Sequence, residues 1–325
     1  MRGVLRQLRL SSSGRVATTI ALIILSIVCL AAEPERQRQK QDEPPTTVIE
    51  PLAPERFFEQ MFGAGGPQDD AALAKIEISL REERQIGDAA AQGYLESLRR
   101  RKLKVVNRGR EVGYLSDLIT TLQPLMAHGD RYRRIEVYYI QSDETDARSF
   151  PGGTLFFSRG LLKFAESEAA LIGVVGHELS HLDRGHQLVH VKKTKLAQQT
   201  FTGNGGPASP EHFFDASRML AETWMRPFRP EDESQADLDG ATWAFEAGYD
   251  SREFAELLMK MHRRDGNRGG ALPSFLRSHP FHRERYRALI AIAKQLNDTN
   301  PNAQLYIGRR NLEQRVARVR REFQE

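Results

Sequence analysis

Apolar and polar positions along this 325-residue chain follow three different rhythms. Residues 16–32 form an almost unbroken apolar run. From Leu73 to Leu103, and again from Leu115 to Ala127, apolar residues recur at helical spacing. "RRIEVYYI", residues 133–140, is apolar and β-branched enough for a strand. The turn signal Pro151-Gly152-Gly153 leads into a second short strand, Thr154 to Ser158, which Gly160 ends. From Glu166 to about Val191 the rhythm is helical, with a stripe of Leu171, Val174, Val175 and Leu179. Helices are also predicted over 211–225, 231–247, 252–264 and 283–296, and a charged helix over 304–325 carries a weak stripe of Leu305, Leu312 and Val316. The pattern predicts an α+β fold, mainly helical with a small sheet and without internal repeats.

Composition divides the chain further. Residues 1–32 hold Arg2, Arg6, Arg9 and Arg15, no acid, and small residues at Ala31-Ala32 after the apolar run. This is the layout of an export signal, and the run is also nearly long enough to remain as a membrane anchor with its arginines in the cytoplasm. Either reading exports the rest of the chain, to be periplasmic or anchored facing the periplasm. Cys29 is the single cysteine, so no intramolecular disulfide forms, and Val28 before it is too large for a lipoprotein signal. Residues 33–71 are rich in Pro, Gln, Gly and charge, which predicts a disordered linker. A domain is expected over 72–300 and the charged helix over 301–325. The four leader arginines account for the whole net charge of +4. The remainder is neutral, which argues against a nucleic-acid partner.

The candidate chemistry begins at "HELSHLDRGH", residues 177–186. Residues four apart share a helix face, so His177 and His181 can place two imidazoles on one metal ion. Glu178 is offset by about 100° and can stand beside the metal as a proton acceptor. The same spacing also fits a solvated helix face, and a third ligand separates the two readings. A histidine six residues after His181 is ruled out, because Gln187 stands there. The other route is "ESQAD": Glu233 can complete the ligands while Asp237, on the same face, accepts the ring N–H of a ligand histidine. Both acids equally suit a helix N-terminus. In "SHPFHRER", His279 precedes Pro280 and can donate to an oxyanion, or serve a structural role.

The order of "SFPGGTLFFSRGLL", "HELSHLDRGH", "ESQAD" and "SHPFHRER" resembles the HtpX-like and BepA-like zinc metallopeptidases of the gluzincin group. The resemblance covers residues 77–297. It implies a zincin-like fold in which His177, His181 and Glu233 bind one Zn2+, Glu178 is the general base, Asp237 supports a ligand, and His279 assists at the oxyanion. His186 matches a histidine taken as structural, and Arg285 fits the arginine after the family's His-Pro. The chain departs from the family in having Asp146-Ala147 where Asn-Ala is common, no transmembrane segments after the leader, and no C-terminal helical-repeat domain; it looks like a minimal exported version.

The expected activity is a zinc-dependent metalloendopeptidase acting on unfolded or extended polypeptides of exported or envelope proteins, in protein quality control. Extended substrate is expected to pair with an edge strand at Thr154 to Ser158, with Gly153, Thr154, Leu155 and Phe156 as contacts. Two other classes stay open. One is a latent zinc-bearing chaperone or assembly factor in which His279 takes the fourth metal position and the 203–210 loop covers the cleft. The other is an inert helical interaction domain with no stoichiometric metal. Two imidazoles and a carboxylate suit zinc, and other first-row metals bind such sets.

Overall fold

The computed structural model describes residues 67–189, 191–193, 195–196, 228–266, 275–281 and 283–324. The export leader, most of the predicted linker, the 203–210 loop and the helix predicted over 211–225 lie outside the described residues. The elements in chain order are α1 Pro67–Ala74, α2 Leu80–Arg100, β1 Val105–Val106, α3 Arg110–Leu122, β2 Glu136–Ile140, β3 Ala147–Phe150, β4 Thr154–Ser158, α4 Arg159–Phe164, α5 Glu168–Asp183, α6 Pro230–Glu246, α7 Arg252–Gly266, α8 Phe275–Ser278, α9 Arg283–Thr299 and α10 Arg309–Gln314. The result is the expected mainly helical α+β fold. No helix among the described residues is long and apolar enough to cross a membrane.

Four strands form one sheet in the order β1-β2-β4-β3. β2 and β4 run parallel, with Glu136 opposite Thr154, and the outer pairs are antiparallel. β3 was not expected from the sequence. Its four residues, Ala-Arg-Ser-Phe, carry no apolar alternation, yet the tight turn at Gly152 and Gly153, both at positive φ, folds it back onto β4. β4 is therefore an inner strand, buried at all five positions, and the edge belongs to β3. Asp146 accepts the Ser158 N–H at 3.0 Å, so strand alternation turns the backbone groups of Ala147 and Ser149 outward.

Helix α5 decides the architecture. Ser167 caps it by accepting the Ala170 N–H, and Gly185, in the left-handed region, follows its end. The sequence suggested one apolar stripe, but all sixteen residues from Glu168 to Asp183 are buried. A helix apolar around its whole circumference belongs in a core. Its polar residues are thereby drawn inside, where each needs a partner.

α6 lies against α5 at backbone contact distance. A Cβ placed on Gly240 would stand 2.8 Å from the Gly173 carbonyl and 2.9 Å from the His177 nitrogen. The two glycines Gly176 and Gly240 meet face to face, which lets side chains from both helices converge nearby.

The C-terminal stretch corrects the expected long helix. Only Arg309–Gln314 is helical, bounded by left-handed Gly308 and Arg315. The rest wraps as a strap on α5: Glu168 and Ala169 donate their N–H groups to Gly308 and Ile307. Buried Leu312, Ala317 and Phe323 and the Asn311 side chain hold the strap in place, the latter donating to Val316 and Arg321. At the other end of the chain, α1 extends into the predicted linker, since residues 67–70 are helical.

Two outcomes follow. Gly240→Ala forces α5 and α6 apart and costs about 1–3 kcal/mol, read as a lower urea midpoint. Glu168 is buried and accepts from the Tyr249 hydroxyl at 2.7 Å and from the Arg318 backbone N–H at 2.8 Å. Burial outweighs these donors and raises its pKa. The folded chain thus holds this proton more tightly than the unfolded chain, a contribution present at low pH and lost as pH rises through the raised value. The stability of the parent relative to Glu168→Gln is expected to fall as pH rises above the ordinary glutamate range in urea titrations; a difference independent of pH contradicts this.

Candidate metal centre

Four of the expected residues meet at one point. Ligand atoms from His177, His181, Glu233 and His279 all lie within 4.8 Å of one another, and all four residues are buried. His177 and His181 come from the same face of α5, and their Nε2 atoms stand 3.1 Å apart. α6 brings Glu233, whose carboxylate lies 3.4 Å from His181 Nε2 and 3.6 Å from His177 Nε2. His279, just after α8, places Nδ1 at 3.0 Å from His177 Nε2 and 2.9 Å from Glu233 Oε1. This burial removes the solvated-face reading of "HELSHLDRGH".

The far nitrogens of both α5 imidazoles are already engaged. Asp237 Oδ1 lies 3.0 Å from His177 Nδ1 and accepts its proton-bearing side, as expected for Asp237. His181 Nδ1 lies 3.0 Å from His186 Nδ1, and His186 in turn faces Asp232 at 3.8 Å. His186 thus touches a candidate ligand. Both Nε2 atoms are left to face the common point. Rings of Phe228 and Phe275 stack on His181 and His279 at 3.8 and 4.2 Å between centroids.

Arg285 closes the back of the site. It donates to both oxygens of Asp237 at 2.7 Å and pairs with Glu233 Oε2 at 2.7 Å. A cavity of about 380 Å³ opens beside Glu233 and Asp237, lined also by Phe228, Pro280, Ala288 and Ile292.

The charges show what the pocket fits. Glu178, Glu233 and Asp237 are buried carboxylates, and the buried guanidinium of Arg285 pairs with the last two. Burial alone would lower the pKa of His279, but Glu233 and Glu178 raise it to about 9. For His181, burial dominates and lowers the pKa to about 4, leaving the ring neutral. Burial opposes ionisation of Glu178, yet His279 beside it holds its pKa down to about 2. The pocket thus sets buried carboxylates beside imidazole nitrogens that are turned to one point. That donor set suits a divalent metal.

Glu178 lies outside the ligand cluster and beside it, with Oε1 3.1 Å from His279 Nε2 and Oε2 accepting from Ser149 Oγ at 2.7 Å. The expected substrate contacts on β4 are displaced. Thr154, Leu155 and Phe156 are buried between β2 and β3, and Gly153 belongs to the turn, so none offers an open edge. The edge at the site is β3, which holds Ser149. Asp146, in place of the family's Asn, accepts from Tyr94 and Arg148 beneath the sheet at 3.1 Å each, a structural tie.

A sequence profile of peptidase family M48 matches residues 115–293. The chain belongs to this metallopeptidase family. The M48 match spans α3 to α9 and contains every residue of the cluster. The chain is 26% identical over 229 residues to the beta-barrel assembly-enhancing protease of Escherichia coli (strain K12), covering 67% of this chain and 45% of that protein. It is 26% identical over 158 residues to a mitochondrial metalloendopeptidase of Arabidopsis thaliana, covering 47% and 30%. It thus spans less than half the length of these curated relatives.

Removing the Arg285 charge leaves Asp237 and Glu233 buried without their cation. Arg285→Met is expected to cost about 3–5 kcal/mol in urea unfolding and to weaken metal retention during dialysis against a chelator. Parental stability would show that the guanidinium does not hold the ligands.

Proposed function

We propose that this M48 chain is a zinc-dependent metalloendopeptidase that cleaves extended polypeptides of exported or envelope proteins. The observation that carries this reading is the convergence of His177, His181 and Glu233 with Glu178 standing beside them. These three residues would hold zinc. When bound, zinc supplies Lewis acidity to the scissile carbonyl and lowers the pKa of water. Glu178 accepts the proton of the attacking water and returns it to the leaving amine. Asp237 and His186 keep the two imidazoles turned toward the ligand point. His279 donates its ring N–H to the oxyanion. Substrate lies along β3, pairing with the outward groups of Ala147 and the Ser149 N–H. The cavity beside Glu233 accepts an apolar side chain.

His279 also favours a second reading of the resting state. It fills the space between Glu178 and Glu233, where it contacts both carboxylates. A substrate carbonyl enters only after this ring withdraws, so the site rests closed, with His279 as a fourth ligand. A chaperone or assembly factor with little proteolysis would keep it there permanently. The basic, apolar leader supports export to the periplasm, cleaved or anchored, and the name of the Escherichia coli relative, which concerns β-barrel assembly, supports an envelope role.

The test is zinc content together with casein cleavage by the full chain and its Glu178→Gln variant. The parent is expected to bind one zinc and cleave, and the variant to keep zinc while losing about 10²–10⁴ in rate. Zinc without cleavage in either protein favours the closed, non-proteolytic reading. No stoichiometric zinc refutes both.

A further inference from the structure

Glu178 is held by a serine at the head of "SFPGGTLFFSRGLL", a position to which the motif itself gave no role. Ser149 Oγ donates to Glu178 Oε2 at 2.7 Å, and Gln187 Nε2 donates to Ser149 Oγ at 2.7 Å. The same Gln187 nitrogen donates to the Ser149 backbone carbonyl, also at 2.7 Å. That carbonyl sets the direction of the whole chain. A carbonyl can only accept, so Gln187 must turn its nitrogen, not its oxygen, toward Ser149. The hydroxyl then accepts from Gln187, and its single proton goes to Glu178.

Both residues are placed with care. Ser149 sits on β3, the edge strand, with its backbone polar groups facing outward. Gln187 is 3% exposed and lies in the one-turn helix His186–Leu188, which left-handed Gly185 turns back under the end of α5. This turn therefore serves both halves of the site: His186 touches the ligand His181, and Gln187 reaches the base through Ser149. Glu178 has two oxygens. With Oε2 occupied by the hydroxyl, Oε1 is the one facing His279 and the ligand point.

We propose that Gln187 and Ser149 form a positioning relay that holds Oε2 of Glu178 and leaves Oε1 as the oxygen that takes the proton. The inference rests on the peptidase reading above. Neither side chain touches the reacting atoms; both act through Glu178. A purely structural tie between β3 and the turn after α5 would use the same bonds but would not distinguish the rate of the chemical step from binding.

The experiment measures kcat and KM on a casein-derived peptide, with zinc stoichiometry and Tm, for the full chain and for Ser149→Ala, Ser149→Thr, Gln187→Leu and Ser149→Ala/Gln187→Leu. Loss of a hydrogen bond to a charged carboxylate is expected to lower kcat about ten- to a hundredfold in Ser149→Ala, with zinc content kept and KM within about twofold. Ser149→Thr, which keeps the hydroxyl and suits a strand, is expected to restore most of kcat. Gln187→Leu lowers kcat in the same direction, and the double variant falls no further than Ser149→Ala, because two members of one chain are not additive. Parental kcat in Ser149→Ala, or a loss that threonine fails to rescue, overturns the relay alone. A parent that cleaves nothing overturns the peptidase reading and the relay with it.

Discussion

The structure depends on burying one helix on all sides. α5 carries His177, Glu178 and His181, and its complete burial turns what would be a solvated polar face into a cluster of groups that must find partners. α6 meets that need because Gly240 and Gly176 allow backbone contact, bringing Glu233 and Asp237 within reach of the imidazoles. A wider spacing would leave the carboxylates short of the histidines. Packing and chemistry are therefore set by the same contact.

Charge accounts for the rest of the site. Buried carboxylates are tolerable only with compensating cations. Arg285 supplies one, against Asp237 and Glu233, and its salt bridges orient both acids. The remaining excess lies where Glu233, Glu178 and His279 meet, and raises the pKa of His279 against its burial. A site so arranged suits a metal cation, and His279 lies between the two carboxylates.

Much of this was legible in the chain. His177 and His181 share a helix face by spacing alone, and Glu233 and Asp237 repeat the device on a later helix, so the structure only had to bring two helices together. The order of the motifs identified the family before any fold was visible. What escaped was carried by tertiary context. β3 is four residues without apolar alternation, a strand only because the Gly152-Gly153 turn lays it on β4, and missing it misplaced the sheet edge. Ser149 and Gln187 are ordinary polar residues 38 apart, and nothing local marks them as partners of Glu178. The C-terminal charges resembled a helix until Gly308 and Arg315 adopted left-handed backbone and turned the segment into a strap.

The central claim is that α5 and α6 together build one metal site from His177, His181 and Glu233. X-ray absorption at the zinc edge of the metal-loaded full chain tests it most directly. The account predicts a first shell of nitrogen and oxygen donors with imidazole scattering from at least two histidines, and loss of one oxygen donor in Glu233→Ala. A shell made mainly of water, or a shell unchanged by Glu233→Ala, would contradict it.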